Sequence, residues 1–422
     1  MTTRHNWAPA SIMAVWLVAT RFAAEAFNTH LWDRANYVWA VVALAVICLF
    51  LWPQMAMAVQ KDRRLLAGKL PTLFYLLYLV ARTDVTQLYP IKCLLSEVIV
   101  WFFFWFTVDV AATEPTIAGR LRNLIIGLVK CMVVIGVFQL VLFIIENRTL
   151  NPTDILTGRP ARSIFVHPSI CLIMLLPFLL PFLRSGAFLW AAMLLFTCLA
   201  TGTRSPFLSM VLLSWVAGKY VLRREIPRKA YVITMVLLMA AYGGAIALNS
   251  GPIEVDYAQA DSRFSFGTLQ WRVQFWQRLL SETTGLTAII GHGVGSADRF
   301  TTEEVLIPPH NDYLRIYFDL GVIGIALYMA VIVSIWRKAW AIETDDRDMV
   351  LIVLLMMLSF GITDNFLYVS NRLFLLTFIA TYFAPRTEKA SPPAAAFAGL
   401  PRILAGFRPG RSAGSQALPK IT

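Results

Sequence analysis

Runs of about 20 apolar residues recur along this chain, and each is long enough to cross the hydrocarbon of a bilayer as one helix. Inside lipid every backbone N–H and C=O must be paired within the protein, so only helices or closed barrels can span. Barrel strands are much shorter than these runs, which leaves helices. Apolar spans are expected at roughly 9–28, 36–57, 69–81, 88–111, 121–145, 166–183, 186–201, 205–222, 230–248, 311–336, 349–367 and 371–384. Those at 69–81 and 371–384 are short, so a tilted or re-entrant course stays open for both. The expected fold is all-α: a polytopic membrane protein with about 12 transmembrane helices. Composition agrees, because 58% of the residues are hydrophobic and 15% charged, against roughly 25% charged in soluble domains.

Positive charge then sets the orientation. Lys plus Arg number 37 against 25 Asp plus Glu, a net charge of +12. In a soluble protein that excess would point to nucleic acid; here basic loops facing anionic lipid account for it, and no nucleic-acid partner is expected. With the N-terminus inside, Lys61, Arg63, Arg64 and Lys69 lie on the cytoplasmic side. Arg120 and Arg122 follow them, then Arg223, Arg224, Arg228 and Lys229, then Arg337, Lys338 and Arg347. Residues 1–384 form the membrane domain, and 385–422 a Pro/Ala/Gly-rich basic tail, expected to be cytoplasmic and disordered. Ala24-Glu25-Ala26 resembles a signal cleavage site, but Arg21 and Glu25 interrupt the first run, so an uncleaved helix is expected. Cys48, Cys93, Cys131, Cys171 and Cys198 all fall in apolar runs without CxxC spacing and read as small buried hydrophobes.

The expected outer side carries arginine and no lysine: Arg34, Arg82, Arg148, Arg159, Arg162, Arg204, Arg263, Arg272, Arg278, Arg299 and Arg372. Positive charge held against the topological bias needs a reason, and the guanidinium fork binds phosphate oxygens bidentately. For any one of them an interfacial anchor or a local carboxylate is the plainer account. One outer loop is long, residues 249–309, and contains helices. From Leu269 to Leu280, Trp271, Phe275 and Leu279 share one face while Arg272 and Trp276 share another, a pattern expected of a helix along the membrane surface. The loop ends at Pro308-Pro309-His310-Asn311-Asp312.

His310 precedes a helix that Asn311 or Asp312 can cap. The positive end of that helix keeps the imidazole neutral near pH 7, where its ordinary pKa is only about 6.5, so it can serve as a general base. A histidine at a helix start is as readily structural. Arg204 and Arg272, both outside, could hold a lipid-linked diphosphate as it leaves; snorkelling to lipid headgroups is the alternative. Asp312, Arg315 and Asp319 share a face inside a span and read as an internally satisfied ion network. Lys130 and Asp364 have no assigned role.

Other signals fail. Gly291-His292-Gly293-Val294-Gly295 lacks the preceding strand of a nucleotide loop and reads as a tight turn. Asp345, Asp346 and Asp348 read as a solvated cytoplasmic loop. Glu254 and Asp256 read as solvent-facing, and no carboxylate pair is placed for glycoside hydrolysis. His5, His30, His167 and His292 have no ligand spacing, so neither metal nor cofactor is expected.

Leu199-Ala-Thr-Gly-Thr-Arg204-Ser-Pro, Arg272-Val-Gln-Phe-Trp276, Gly291-His-Gly-Val-Gly295, and His310-Asn-Asp-Tyr-Leu314 followed by Gly321-Val-Ile-Gly324 together resemble the O-antigen ligase and polymerase superfamily. Arg162-Ser-Ile-Phe-Val-His-Pro168 resembles a further family segment, and the likeness covers roughly residues 155–335. It implies a metal-independent, inverting glycosyltransferase of the bacterial inner membrane with both termini cytoplasmic. The ligase branch implies transfer of a glycan from undecaprenyl diphosphate to the lipid A-core oligosaccharide at the periplasmic face. His310 matches the family's essential histidine; Arg204, Arg272 and Arg162 match the arginines assigned to the donor diphosphate. An O-antigen polymerase, a protein O-oligosaccharyltransferase and, from another class, a lipid-linked glycan transporter are the alternatives. A transporter would carry internal repeats and broken helices.

Overall fold

A computed structural model describes residues 41–53, 68–148, 176–200, 267–300, 311–342, 344–363 and 369–383, with a few isolated positions besides. Among the described residues helix is the only regular secondary structure. In chain order these are α1 (Val41–Leu51, π-helical over Ile47–Leu51), α2 (Leu70–Arg82), α3 (Leu88–Thr113), α4 (Pro115–Asn147), α5 (Leu179–Arg184) and α6 (Phe188–Ala200). After them come α7 (Gly267–Glu282), α8 (Leu286–Ile290), α9 (Ser296–Arg299), α10 (Asp312–Ala339), α11 (Thr344–Thr363) and α12 (Val369–Ala380). Three of them, α3, α4 and α10, are long and apolar enough to cross a membrane. The expected spans at 9–28 and 205–222, and nearly all of 230–248, lie outside the described residues.

Proline starts two of these helices. Pro71 and Pro115 sit in the first turns of α2 and α4, where the missing N–H has no partner to lose. At 33 residues α4 is about 50 Å long, more than the hydrocarbon requires, whereas the 13 residues of α2 reach only about 20 Å. The short expected span at 69–81 is therefore short in the structure too.

α3 is the centre of the bundle. Trp101, Phe103, Phe104, Trp105 and Phe106 are all buried, and a helix apolar on every side belongs inside a protein. The rings meet edge to face, Phe104 with Trp105 at 5.0 Å and Trp101 with Phe104 at 6.3 Å, the arrangement that aromatic quadrupoles favour. By contrast, Val134, Phe138, Val141 and Ile145 make an exposed stripe along α4, as do Leu70, Leu73, Phe74 and Leu77 along α2. Water would penalise such stripes, and lipid is their natural solvent. Where α4 meets α6, Gly136 leaves room for Thr197 to close on the backbone, a small-residue contact common between membrane helices.

Charges buried between helices are paired. Glu97 of α3 holds Arg372 of α12 by a two-pronged ion pair at 2.6 and 2.7 Å, and also accepts Trp101 Nε1–H at 3.0 Å. Arg372, expected on an outer loop, is thus 1% exposed inside the bundle. Lys69 pairs with Asp109, and Arg184 with Asp346 at 2.6 Å. Asp346 and Asp348 open α11 rather than a solvated loop, and Asp348 is buried. Lys130 lies over the Trp190 ring at 5.1 Å, a cation–π contact. Of the cysteines, Cys198 is buried, but Cys48 and Cys131 are exposed on their helices, against the sequence expectation.

Removing one member of a buried pair strands the other. Arg372→Met is expected to destabilise the protein by about 3 kcal/mol, read as an earlier thermal transition in detergent. Replacing both, Glu97→Met with Arg372→Met, is expected to recover much of that loss.

Candidate functional site

The region around the expected catalytic segment is built on a break in a helix. α10 begins at Asp312, and its N-cap Asn311 accepts the backbone N–H groups of Tyr313 and Leu314 at 3.1 and 3.0 Å. Asn311, not Asp312, is therefore the cap, and Asp312 is buried in the first turn. At Gly321 the backbone leaves the helix, with φ 67° and ψ −167°, a conformation only glycine adopts without strain. The expected continuous span is thus a nine-residue segment ending at Leu320 and a longer one running from Val322 to Ala339.

A break strands carbonyl groups that the next turn would have paired. Residues of the long loop take them up. His292 N–H donates to Phe318 O at 2.9 Å and Gly293 N–H to Asp319 O at 2.8 Å. The Tyr78 hydroxyl lies 3.1 Å from Leu320 O and 3.0 Å from Ile290 O. Two glycines make this approach possible: a Cβ on Gly291 would strike the Asp319 carbonyl, and one on Gly321 the Ile289 carbonyl. Gly291, Gly293 and Gly295 all have positive φ, so the glycine run is the tight turn expected, seated on protein backbone.

Side chains lock the turn from three directions. Arg82, at the end of α2, donates to Gly291 O at 2.7 Å and receives Val294 N–H on its own carbonyl at 3.1 Å. The Asp319 carboxylate accepts Gly295 N–H at 2.9 Å and Ala297 N–H at 2.7 Å, pairing donors at the start of α9. Arg315 pairs with Asp298, which also accepts the Tyr89 hydroxyl at 2.6 Å. Of the triplet in which an internal ion network was expected, Arg315 is therefore paired with a loop acid and Asp319 with loop backbone N–H groups. In the adjoining turn the Asp84 carboxylate takes hydrogen bonds from the Thr86 hydroxyl and amide, which lower its pKa below the ordinary value.

α7 docks on the same segment. Leu279 packs with Ala297 and Phe318, and Phe275 joins them. Val273 and Trp276 are also buried, while Gln277, Arg278, Leu280 and Ser281 are exposed. The covered face of the helix rests on protein, at Ala297 and Phe318. Arg272, half-buried, stands seven residues before Leu279, about 10 Å along the axis. On α10, Phe318 is six residues from Asp312, about 9 Å. The Arg272 helix and the segment that follows His310 in the chain are therefore joined within about two turns of each. His310 itself, with Arg204 and Arg162, lies outside the described residues. Among the described residues no three His, Cys, Asp or Glu side chains gather as a metal-ligand set.

The sequence reading missed Asp298 and Tyr78. An acid beside an arginine in a long loop is ordinarily solvated, and a tyrosine near a span end ordinarily belongs to the aromatic belt. Among the outer arginines nothing in its sequence context sets Arg82 apart, yet it holds the glycine turn through Gly291 and Val294.

Gly321→Ala is expected to destabilise this end of the protein by at least about 2 kcal/mol, because the new methyl is strained at positive φ and also meets backbone. Limited proteolysis should show faster cleavage within residues 267–300 and little change elsewhere.

Residues 188–329 match the family model described as O-antigen ligase. The matched stretch opens at the start of α6 and includes Arg204, α7, the glycine turn, His310 and the break at Gly321. A comparison with curated proteins gives no match. Over about a third of its length, therefore, this chain is similar to the O-antigen ligase family.

Proposed function

We propose that the protein is an O-antigen ligase. It transfers a glycan from undecaprenyl diphosphate to a sugar of the lipid A-core oligosaccharide, at the periplasmic face of the inner membrane and without a metal. The observation that carries this reading is the order of groups inside the matched domain: Arg204, Arg272 and His310, with the Arg272 helix docked on the segment that His310 precedes.

In this mechanism His310 takes the proton from the acceptor hydroxyl. The oxygen attacks the anomeric carbon from the face opposite the diphosphate, so the configuration inverts. The bond from that carbon to the diphosphate oxygen breaks, and its electron pair leaves with the diphosphate. Arg204 and Arg272, with Arg162, hold the departing charge by fixed bidentate hydrogen bonds. Diphosphate is a good leaving group, so no general acid is required. The Asn311 cap and the helix behind it disfavour a charged imidazole at the preceding residue, which supports a neutral base.

The polymerase alternative ordinarily carries two sizeable arginine-bearing outer loops, and the loop from Arg148 to Arg162 is short. The transporter alternative calls for broken helices whose open backbone lines a substrate path. α10 is broken, yet its freed carbonyls are taken by His292, Gly293 and Tyr78. That occupancy favours a static joint over a gate.

In cells lacking the protein, lipid-linked polymer of full length should accumulate while the lipid A-core stays bare; cores capped by single units would instead identify a polymerase. His310→Ala is expected to abolish transfer with donor binding retained, whereas Arg272→Ala should also weaken donor engagement. Unchanged transfer in both variants would refute the assignment.

A further inference from the structure

We propose that the ring of His292 is a stacking platform for a sugar of the glycan, a binding subsite separate from the diphosphate arginines and from the base. The inference rests on the glycosyl-transfer reading for the identity of its ligand, and on geometry for its existence. His292 is exposed, yet it is held at three points. Its N–H donates to Phe318 O at 2.9 Å, its carbonyl accepts the Ser296 hydroxyl at 3.3 Å, and its ring lies on Phe318 with centroids 4.3 Å apart and planes 18° from parallel. One face of the imidazole is therefore covered by Phe318, and the ring is presented outward in a fixed orientation.

Aromatic packing extends from Phe318. Phe300 packs against Phe318 at 5.1 Å, and the exposed guanidinium of Arg278 lies 5.5 Å from the Phe300 ring. A flat π surface is electron-rich on its face and attracts the slightly positive C–H bonds that a pyranose ring shows on its apolar side. Flanking glycines would make an isolated histidine mobile, but here the turn is already ordered by the α10 break, so little conformational freedom is left to lose on binding.

Chemistry argues for a glycan and against the lipid diphosphate. Phe318 lies about 9 Å along α10 from Asp312. That is the reach of a short oligosaccharide from chemistry at the helix start, and the platform presents rings where phosphate recognition requires converging donors. A donor glycan and an acceptor core share the same pyranose chemistry, and the experiment separates them.

Binding would be measured by calorimetry on the full-length protein in nanodiscs, using two probes: deacylated core oligosaccharide, and a lipid-free repeat of the O-glycan. His292→Ala should weaken one of them about three- to tenfold. His292→Phe, which keeps a flat ring, should bind close to the wild-type level. His292→Leu, which covers Phe318 without an aromatic face, should bind as poorly as His292→Ala. The probe that loses affinity identifies the glycan seated there.

If His292→Leu binds as the wild type does, the ring merely covers Phe318 and the proposal is overturned. It is equally overturned if His292→Ala binds both probes normally, or if the wild type binds neither. The two readings fail separately. Normal ligation in cells carrying His310→Ala, with His292-dependent binding intact, would remove the transfer mechanism and leave the platform. His310-dependent ligation with binding indifferent to His292 would do the reverse.

Discussion

Backbone polarity has to be satisfied wherever a helix stops inside a packed protein, and the stop in α10 at Gly321 organises everything around it. The interruption frees carbonyls at Phe318, Asp319 and Leu320, and these are met by donors from residues hundreds of positions or a single loop away. Because Gly291 and Gly321 lack side chains, two stretches of main chain can touch where any other pair would collide. From that contact follow the seat of the glycine turn, the cap that Asp319 gives to α9, and the surface on which α7 rests.

The same segment shows how charge is managed near lipid. Asp319 takes two backbone N–H groups, Arg315 meets Asp298, and Arg82 reaches a carbonyl. Deeper in the bundle, Glu97 and Arg372 neutralise each other between α3 and α12. Each charge has partners fixed by tertiary packing, so each works as a fastening between elements distant in sequence. Lysine and arginine also divide their labour. Lys69 closes a buried ion pair as a point charge, while Arg372 uses the fork, two donors in one plane on the Glu97 carboxylate.

Much of the fold was legible because lipid leaves few options. A run such as 88–111 has one way to satisfy its backbone, and α3 spans Leu88–Thr113. The helix at Leu269 to Leu280 was legible from its periodicity, and the turn at Gly291 to Gly295 from its glycines. What the pattern did not disclose was depth and partnership. Arg372 sits among residues that would suit an outer loop, and only the presence of Glu97 opposite draws it into the bundle. Gly321 lies at the start of the apolar stretch that follows Asp319; hydropathy is blind to a change in φ, so the break left no trace in the pattern.

By itself the sequence determined the solvent, the helical class, and the chemical kinds of residue available near the long loop, since each depends on local composition and spacing. The family likeness was also readable from order along the chain, and the match over residues 188–329 is of that kind. Tertiary structure alone decided where α10 breaks, that Asp298 and not a neighbour in the triplet answers Arg315, and that the covered face of α7 rests on Ala297 and Phe318. These are pairings across long sequence separations. They turn on whether two backbones can approach within hydrogen-bonding distance, a condition that no local pattern encodes.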